Sequence, residues 1–164
     1  MKEEEKYIQL DKSDTLKLGI RNADGEPTGE YLEFDLEDIE LPLKLQNMIE
    51  KVKFIKSDLD KKLLIIEKKQ DYKGKKMMSA NEEAQYRAFR DAMRELEKVY
   101  NTFLGTNGVR KLLGGGNLQW TSFNKIDKII EEQIMPHLNF KSLDIKKKIK
   151  TMFDKSKEEK STLE

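Results

Sequence analysis

The chain has 164 residues, with 32 Lys and Arg against 31 Asp and Glu and a formal net charge of +1. That balance lacks the global basic bias of a nucleic-acid-binding domain, and the absence of cysteine rules out disulfides and thiolate metal sites. No apolar run approaches the roughly 18–20 residues of a membrane span, and Met1–Lys6 reads as no secretory signal, so the expected location is the cytoplasm.

Hydrophobic residues make up 37% of the chain and charged residues 38%. The apolar residues recur with period, which predicts helices that each bury one stripe. The charge is unevenly spread: Asn22 to Leu43 holds eight acids and no Lys or Arg, and Lys141 to Lys160 holds eight lysines against four acids. Such asymmetry can orient partners or neighbouring subunits, or simply mark two solvated faces.

Residues 1–14 are polar and predicted to be a flexible lead-in. Leu16, Leu18 and Ile20 then alternate with polar or small residues, and Leu32, Phe34 and Leu36 do the same. The two runs predict a β-hairpin over 15–36, with Asp24-Gly25 and Pro27-Thr28-Gly29 in a long connecting loop. Two strands alone are marginal in water, so their apolar face must pack on helices or another chain.

Pro42 suits a helix first turn, preceded by Asp38 and Glu40. Leu45, Met48, Val52, Ile55, Leu59, Leu63 and Ile66 follow at spacings of three and four, predicting a helix over about 42–69 with Ser57-Asp58 as its weakest point. A basic loop follows over Gln70–Met78. Ser79 and Glu82 form a capping-box pair that opens a second helix. Its stripe of Tyr86, Phe89, Met93, Leu96, Tyr100 and Phe103 ends at Gly105, a left-handed C-cap position. The two helices should pack antiparallel, with Ala84, Ala88 and Ala92 allowing close approach.

A short turn is predicted over Val109–Leu113, then a helix over about 118–135 carrying Trp120, Phe123, Ile126, Ile130 and Ile134, closed by Pro136. Ser142 can cap a last short helix with Ile145, Ile149 and Phe153 on one face. A charged tail expected to be disordered occupies 154–164. The fold class expected is mainly α with a small N-terminal β-hairpin (α+β). A single domain over 15–153 should hold a long antiparallel helix pair and shorter C-terminal helices.

Candidate chemistry is sparse. His137, the only histidine, would have to serve any histidine triad or histidine metal site, but a cationic tip at a helix end needs no catalytic reason. Glu33, Asp35, Glu37 and Asp38 could pair for hydrolysis or bind magnesium, yet alternation with Leu32, Phe34 and Leu36 is what a solvated strand face requires. Gly114-Gly115-Gly116 fits neither phosphate-loop pattern and reads as a connection between helices. Lys146, Lys147, Lys148 and Lys150 could touch phosphates, but Ile149 and Phe153 make that segment amphipathic. Trp120 and Phe123 read as core before they read as a stacking platform. No enzyme activity and no cofactor or metal are expected.

One stretch carries a resemblance. Phe103-Leu104-Gly105 leads to Gly108, then Val109-Arg110-Lys111-Leu112-Leu113-Gly114, then Asn117, then an amphipathic helix that ends near a proline. This is similar to a pattern in small tail-assembly proteins of phages and prophages of Gram-positive bacteria. In that pattern a glycine-rich LGEGT run precedes an Ile- or Leu-Phe-Gly, an Asn and a helix. Thr106-Asn107 stands where the pattern has its acidic-glycine pair, and Leu113 where it has an aromatic. The resemblance spans about residues 15–140.

It implies a non-enzymatic tail assembly chaperone in the host cytoplasm. Such a protein binds the tape-measure protein, helps tail-tube subunits polymerise around it, and self-associates. The segment Leu104, Val109, Leu112, Leu113, Trp120 and Phe123 is then the expected partner surface. A structural virion component retained in the particle is the main alternative, followed by a nucleic-acid-binding regulator using the lysine-rich C-terminal helix.

Overall fold

The computed structural model describes residues 5–10, 14–138 and 147–155. It is mainly helical, with an N-terminal two-stranded antiparallel hairpin.

Strands β1 (Thr15–Arg21) and β2 (Pro27–Asp35) pair with Leu16 opposite Phe34 and Leu18 opposite Leu32. Ile20, Leu32 and Phe34 are buried, Leu16 and Leu18 are half-buried, and the residues between them face solvent. The connecting loop is shorter than predicted. Asn22 closes it, its side-chain oxygen accepting the amides of Asp24 and Glu26 at 3.0 Å each. Pro27, Thr28 and Gly29 belong to β2 instead of the loop, since a proline at the first position of a strand forfeits no ladder bond.

The acidic stretch then builds the corner into the first long helix. Asp35 accepts the amide of Glu37, and Asp38 accepts that of Glu40 at 2.9 Å while its other oxygen binds Lys44 at 2.9 Å. The Lys44 ammonium and the Glu40 amide hold the Asp38 carboxyl below its usual range.

Helix α1 (Leu41–Glu67) is one continuous helix, as predicted, and it runs unbroken through its weakest point at Ser57-Asp58. Both residues lie off the buried stripe, Asp58 pairs with Lys62 one turn on at 2.9 Å, and burial of Ile55 and Leu59 holds the segment helical. Helix α2 (Ala80–Leu104) starts as predicted, with the Ser79 hydroxyl accepting the Glu82 amide at 3.2 Å. Between them Asp71 accepts the amides of Tyr72 and Asn81, which ties the connection to the start of α2. The pair is antiparallel: Met48 and Val52 meet Tyr100, whereas Lys62 feels the charges of Glu95 and Asp91.

Gly105 ends α2 at φ +95° and ψ 178°. That is a glycine-only conformation but not the left-handed one predicted. Helix α3 (Gly108–Leu113) follows, its Val109 amide capped by the Asn101 side chain at 2.9 Å. A Cβ on Gly108 would lie 2.5 Å from the Leu104 Cβ, so only glycine lets the chain turn back this tightly. Gly114 closes α3 at φ +56°, where a Cβ would come within 3.2 Å of Asn22. The C-terminal end of α3 thus rests on the hairpin turn.

The helix predicted over 118–135 divides into three. Regular helix α4 spans Ser122–Ile129, a π-helical turn covers Ile130–Ile134, and a 3₁₀ turn covers Met135–His137. Pro136 lacks the amide that would continue the α ladder, and the Met135 amide bonds back to Ile130 instead of Glu131. The widened turn still buries Ile130, Ile134 and Leu138.

Residues 147–155 form a last helix, α5, with Ile149 and Phe153 buried as predicted. It runs past Asp154, where the tail was expected to begin. The Ser142 cap and Ile145 lie outside the described residues, as do 156–164.

One hydrophobic core joins these pieces. It is thick where the hairpin, α3 and α4 meet the early part of α1 and the late part of α2. It thins towards the far ends of α1 and α2, where Leu59, Ile66 and Ala92 are the buried apolar residues.

Candidate protein-binding surfaces

The six residues predicted to form a partner surface divide by burial. Leu104, Val109 and Phe123 are 2%, 0% and 1% exposed, so they are core and cannot meet a partner without unfolding. They are buried because Gly105 and Gly108 fold α3 back across α2, while Phe123 stacks on Tyr100 at 5.4 Å. Leu112, Leu113 and Trp120 are half-buried. Trp120 packs edge-on against Phe89 at 5.6 Å and against Phe123 at 6.5 Å, which makes it the lid of an aromatic cluster over α2.

Larger open apolar surface lies elsewhere. On α1, Leu43, Phe54 and Ile65 are 56%, 72% and 59% exposed. They are spaced by eleven residues, which is three helical turns plus about 20°, so they stand in a nearly straight line about 16 Å apart. That line lies opposite the buried stripe of Leu45, Val52 and Leu59. Leu64 beside Ile65, and Tyr86 at the facing end of α2, extend the exposed apolar surface around the far end of the helix pair. These residues fall between the three-and-four positions of the buried stripe of α1. Their own eleven-residue spacing is the signal that finds them.

A groove of about 480 Å³ runs beside β1. Leu18, Gly19, Ile20 and Arg21 form one side, with Leu112, Ile129 and Ile134 among the apolar residues across from them. His137 lies at this groove in the 3₁₀ turn, exposed, with Glu132 as the one carboxylate along the lining. The acids considered for catalysis do not converge. Glu33 sits 3.9 Å from Lys17, while Asp38 is engaged with Lys44 at the α1 corner. Among the described residues, no three His, Asp or Glu side chains are grouped to hold a metal ion.

The chain matches no protein-family model, no curated protein and no solved structure. Among the described residues no helix is long and apolar enough to cross a membrane. Of the C-terminal lysines, Lys147, Lys148 and Lys150 are exposed on α5, opposite the buried Ile149 and Phe153. They form a solvated face on a helix held by its apolar side.

A buried polar pair beneath these surfaces links two helices. The Tyr100 hydroxyl donates to Asp127 at 2.5 Å, bridging α2 and α4. Burial, together with the adjacent carboxylate, pushes the Tyr100 phenol well above its ordinary range.

Proposed function

We propose that this chain works by binding other protein chains in the cytoplasm and performs no catalysis itself. Its specific role is that of a phage tail assembly chaperone that engages the tape-measure protein and aids tail-tube assembly, and it self-associates. The observation that carries the binding role is the exposed line of Leu43, Phe54 and Ile65 along α1. A straight row of large apolar side chains on a rigid helix suits docking of a second long helix, whose own apolar residues settle between them. The resemblance around Leu104–Asn117 supports the tail-assembly assignment, and the glycines that carry it have a structural task here in turning α3 back on α2.

Burial changes which residues carry the binding. Leu104, Val109 and Phe123 shape the scaffold, while the exposed side of α1 and the far end of the helix pair offer the contact area. Sedimentation velocity of the purified chain, alone and with fragments of a phage tape-measure protein, tests the reading. The expected result is a co-sedimenting complex. A chain that stays monomeric at high concentration and ignores every fragment contradicts it.

A further inference from the structure

The outer edge of β1 is open: among the described residues the sheet has two strands, and nothing pairs with β1 on its far side. The ladder phase says which groups are left over. The Leu36 amide bonds to the Asp14 carbonyl at 2.9 Å, so the pairs in that phase, Leu16 with Phe34 and Leu18 with Leu32, bond inward. Lys17 and Gly19 therefore turn their N–H and C=O groups outward. The groove described above lies along this edge, touching four consecutive residues of β1, so it meets strand backbone as well as side chains.

A few residues upstream the chain carries an apolar segment that stands exposed among the described residues. Tyr7, Ile8 and Leu10 are 83%, 99% and 89% exposed. The Tyr7 hydroxyl donates to the Glu5 carboxylate two residues away, as side chains on one face of an extended chain can do.

We infer that residues Glu5–Leu10 add to β1 as a third, antiparallel strand and close this groove. Five residues, 11–15, separate Leu10 from Leu16, a usual length for a hairpin loop. Closing the hairpin with Leu10 opposite Leu16 sets Ile8 opposite Leu18, Tyr7 opposite Gly19 and Glu5 opposite Arg21. Every pairing then matches. Ile8 and Leu10 fall on the groove face beside the half-buried Leu16 and Leu18. Tyr7 falls on the solvent face beside Gly19, whose missing side chain leaves room there next to the Tyr31 ring, 3.6 Å from where a Cβ would stand. The Glu5 carboxylate meets the Arg21 guanidinium, and Lys6 falls on the side where Glu132 lines the groove. Gln9 and Tyr7 exchange backbone bonds with Lys17 and Gly19, the two residues whose groups point outward. A shift by one residue would turn Ile8 and Leu10 to solvent and lose all of this.

The chain has no cysteine, so the variant Ile8→Cys with Leu18→Cys tests the register directly. Mild oxidation should give a bridged monomer in high yield. Failure to bridge, or bridging only between two chains, overturns the inference. Amide hydrogen exchange provides a check that needs no change at Leu18. In the unaltered protein the Lys17 and Gly19 amides should exchange at least about tenfold more slowly than in the Ile8→Asp, Leu10→Asp variant. Equal, fast exchange in both proteins overturns the inference. Neither measurement uses a partner, so the result is independent of the proposed chaperone role.

Discussion

Tyr100 on α2 donates a 2.5 Å hydrogen bond to Asp127 on α4, and both residues are buried. The bond fixes where the C-terminal helices sit on the long helix pair. Tyr100→Phe keeps the ring stacked on Phe123 but removes the hydroxyl that donates to the buried Asp127 carboxylate. The expected cost is about 1–3 kcal/mol of stability, measured by urea unfolding, with little change in the cooperativity of the transition. An unchanged midpoint would mean that the bond contributes nothing to holding α4 in place.

The same phenol gives a pH dependence with a definite sign. Its folded pKa is raised by burial and by the Asp127 carboxylate. The stability it contributes is therefore fully present below the unfolded tyrosine value of about 10 and is lost as pH rises from there towards the folded value. Unfolding monitored between neutral pH and strongly alkaline pH should show this decline, and Tyr100→Phe should flatten it. Every other group is common to the two proteins and cancels in the comparison.

Gly108→Ala should destabilise by about 1–3 kcal/mol, because the new methyl would lie 2.5 Å from the Leu104 Cβ and the α2–α3 turn must open to admit it. Gly25→Ala at the exposed hairpin turn meets no neighbouring atom and carries only the strain of its φ of +81°, so it should cost less. Thermal unfolding of the two variants side by side checks the order. The reverse order would show that the tight contact at Gly108 relaxes freely.

Much of the fold was readable because stripe and cap coincide. Ser79 opens α2 as its spacing with Glu82 says, and Leu96, Tyr100 and Phe103 are buried as their three-and-four spacing says. Leu32 and Phe34 likewise follow a clean period of two. The π turn at Ile130–Ile134 was not readable, since Ile126, Ile130 and Ile134 keep the same spacing in α and π geometry and only the proline hints at the change. The candidate surface was harder still. Leu104, Val109 and Phe123 are apolar residues near glycines, and sequence cannot say whether such a turn opens outward or folds back. That depends on the close approach of Gly108 to Leu104, which is a three-dimensional fact.

The exposed line on α1 should be dispensable for folding. Phe54→Asp and Ile65→Asp each replace a side chain more than half exposed on the outer side of a long helix, so each should shift stability by no more than about 0.5 kcal/mol. Val52→Asp, on the buried side of the same helix, should unfold the protein or come close to it. Circular dichroism and urea titration of the three variants separate surface from core. A large loss at Phe54 or Ile65 would mean that those side chains already have a partner within the chain.

The most direct test of the central claim is a binding titration of the tape-measure fragment against the unaltered chain and the Phe54→Asp, Ile65→Asp double variant, both verified as folded. The expected result is saturable binding by the unaltered chain and a loss of at least about tenfold in affinity for the double variant. Equal affinity in the two proteins, or no binding by either, would contradict the proposal that this chain acts through the exposed face of α1.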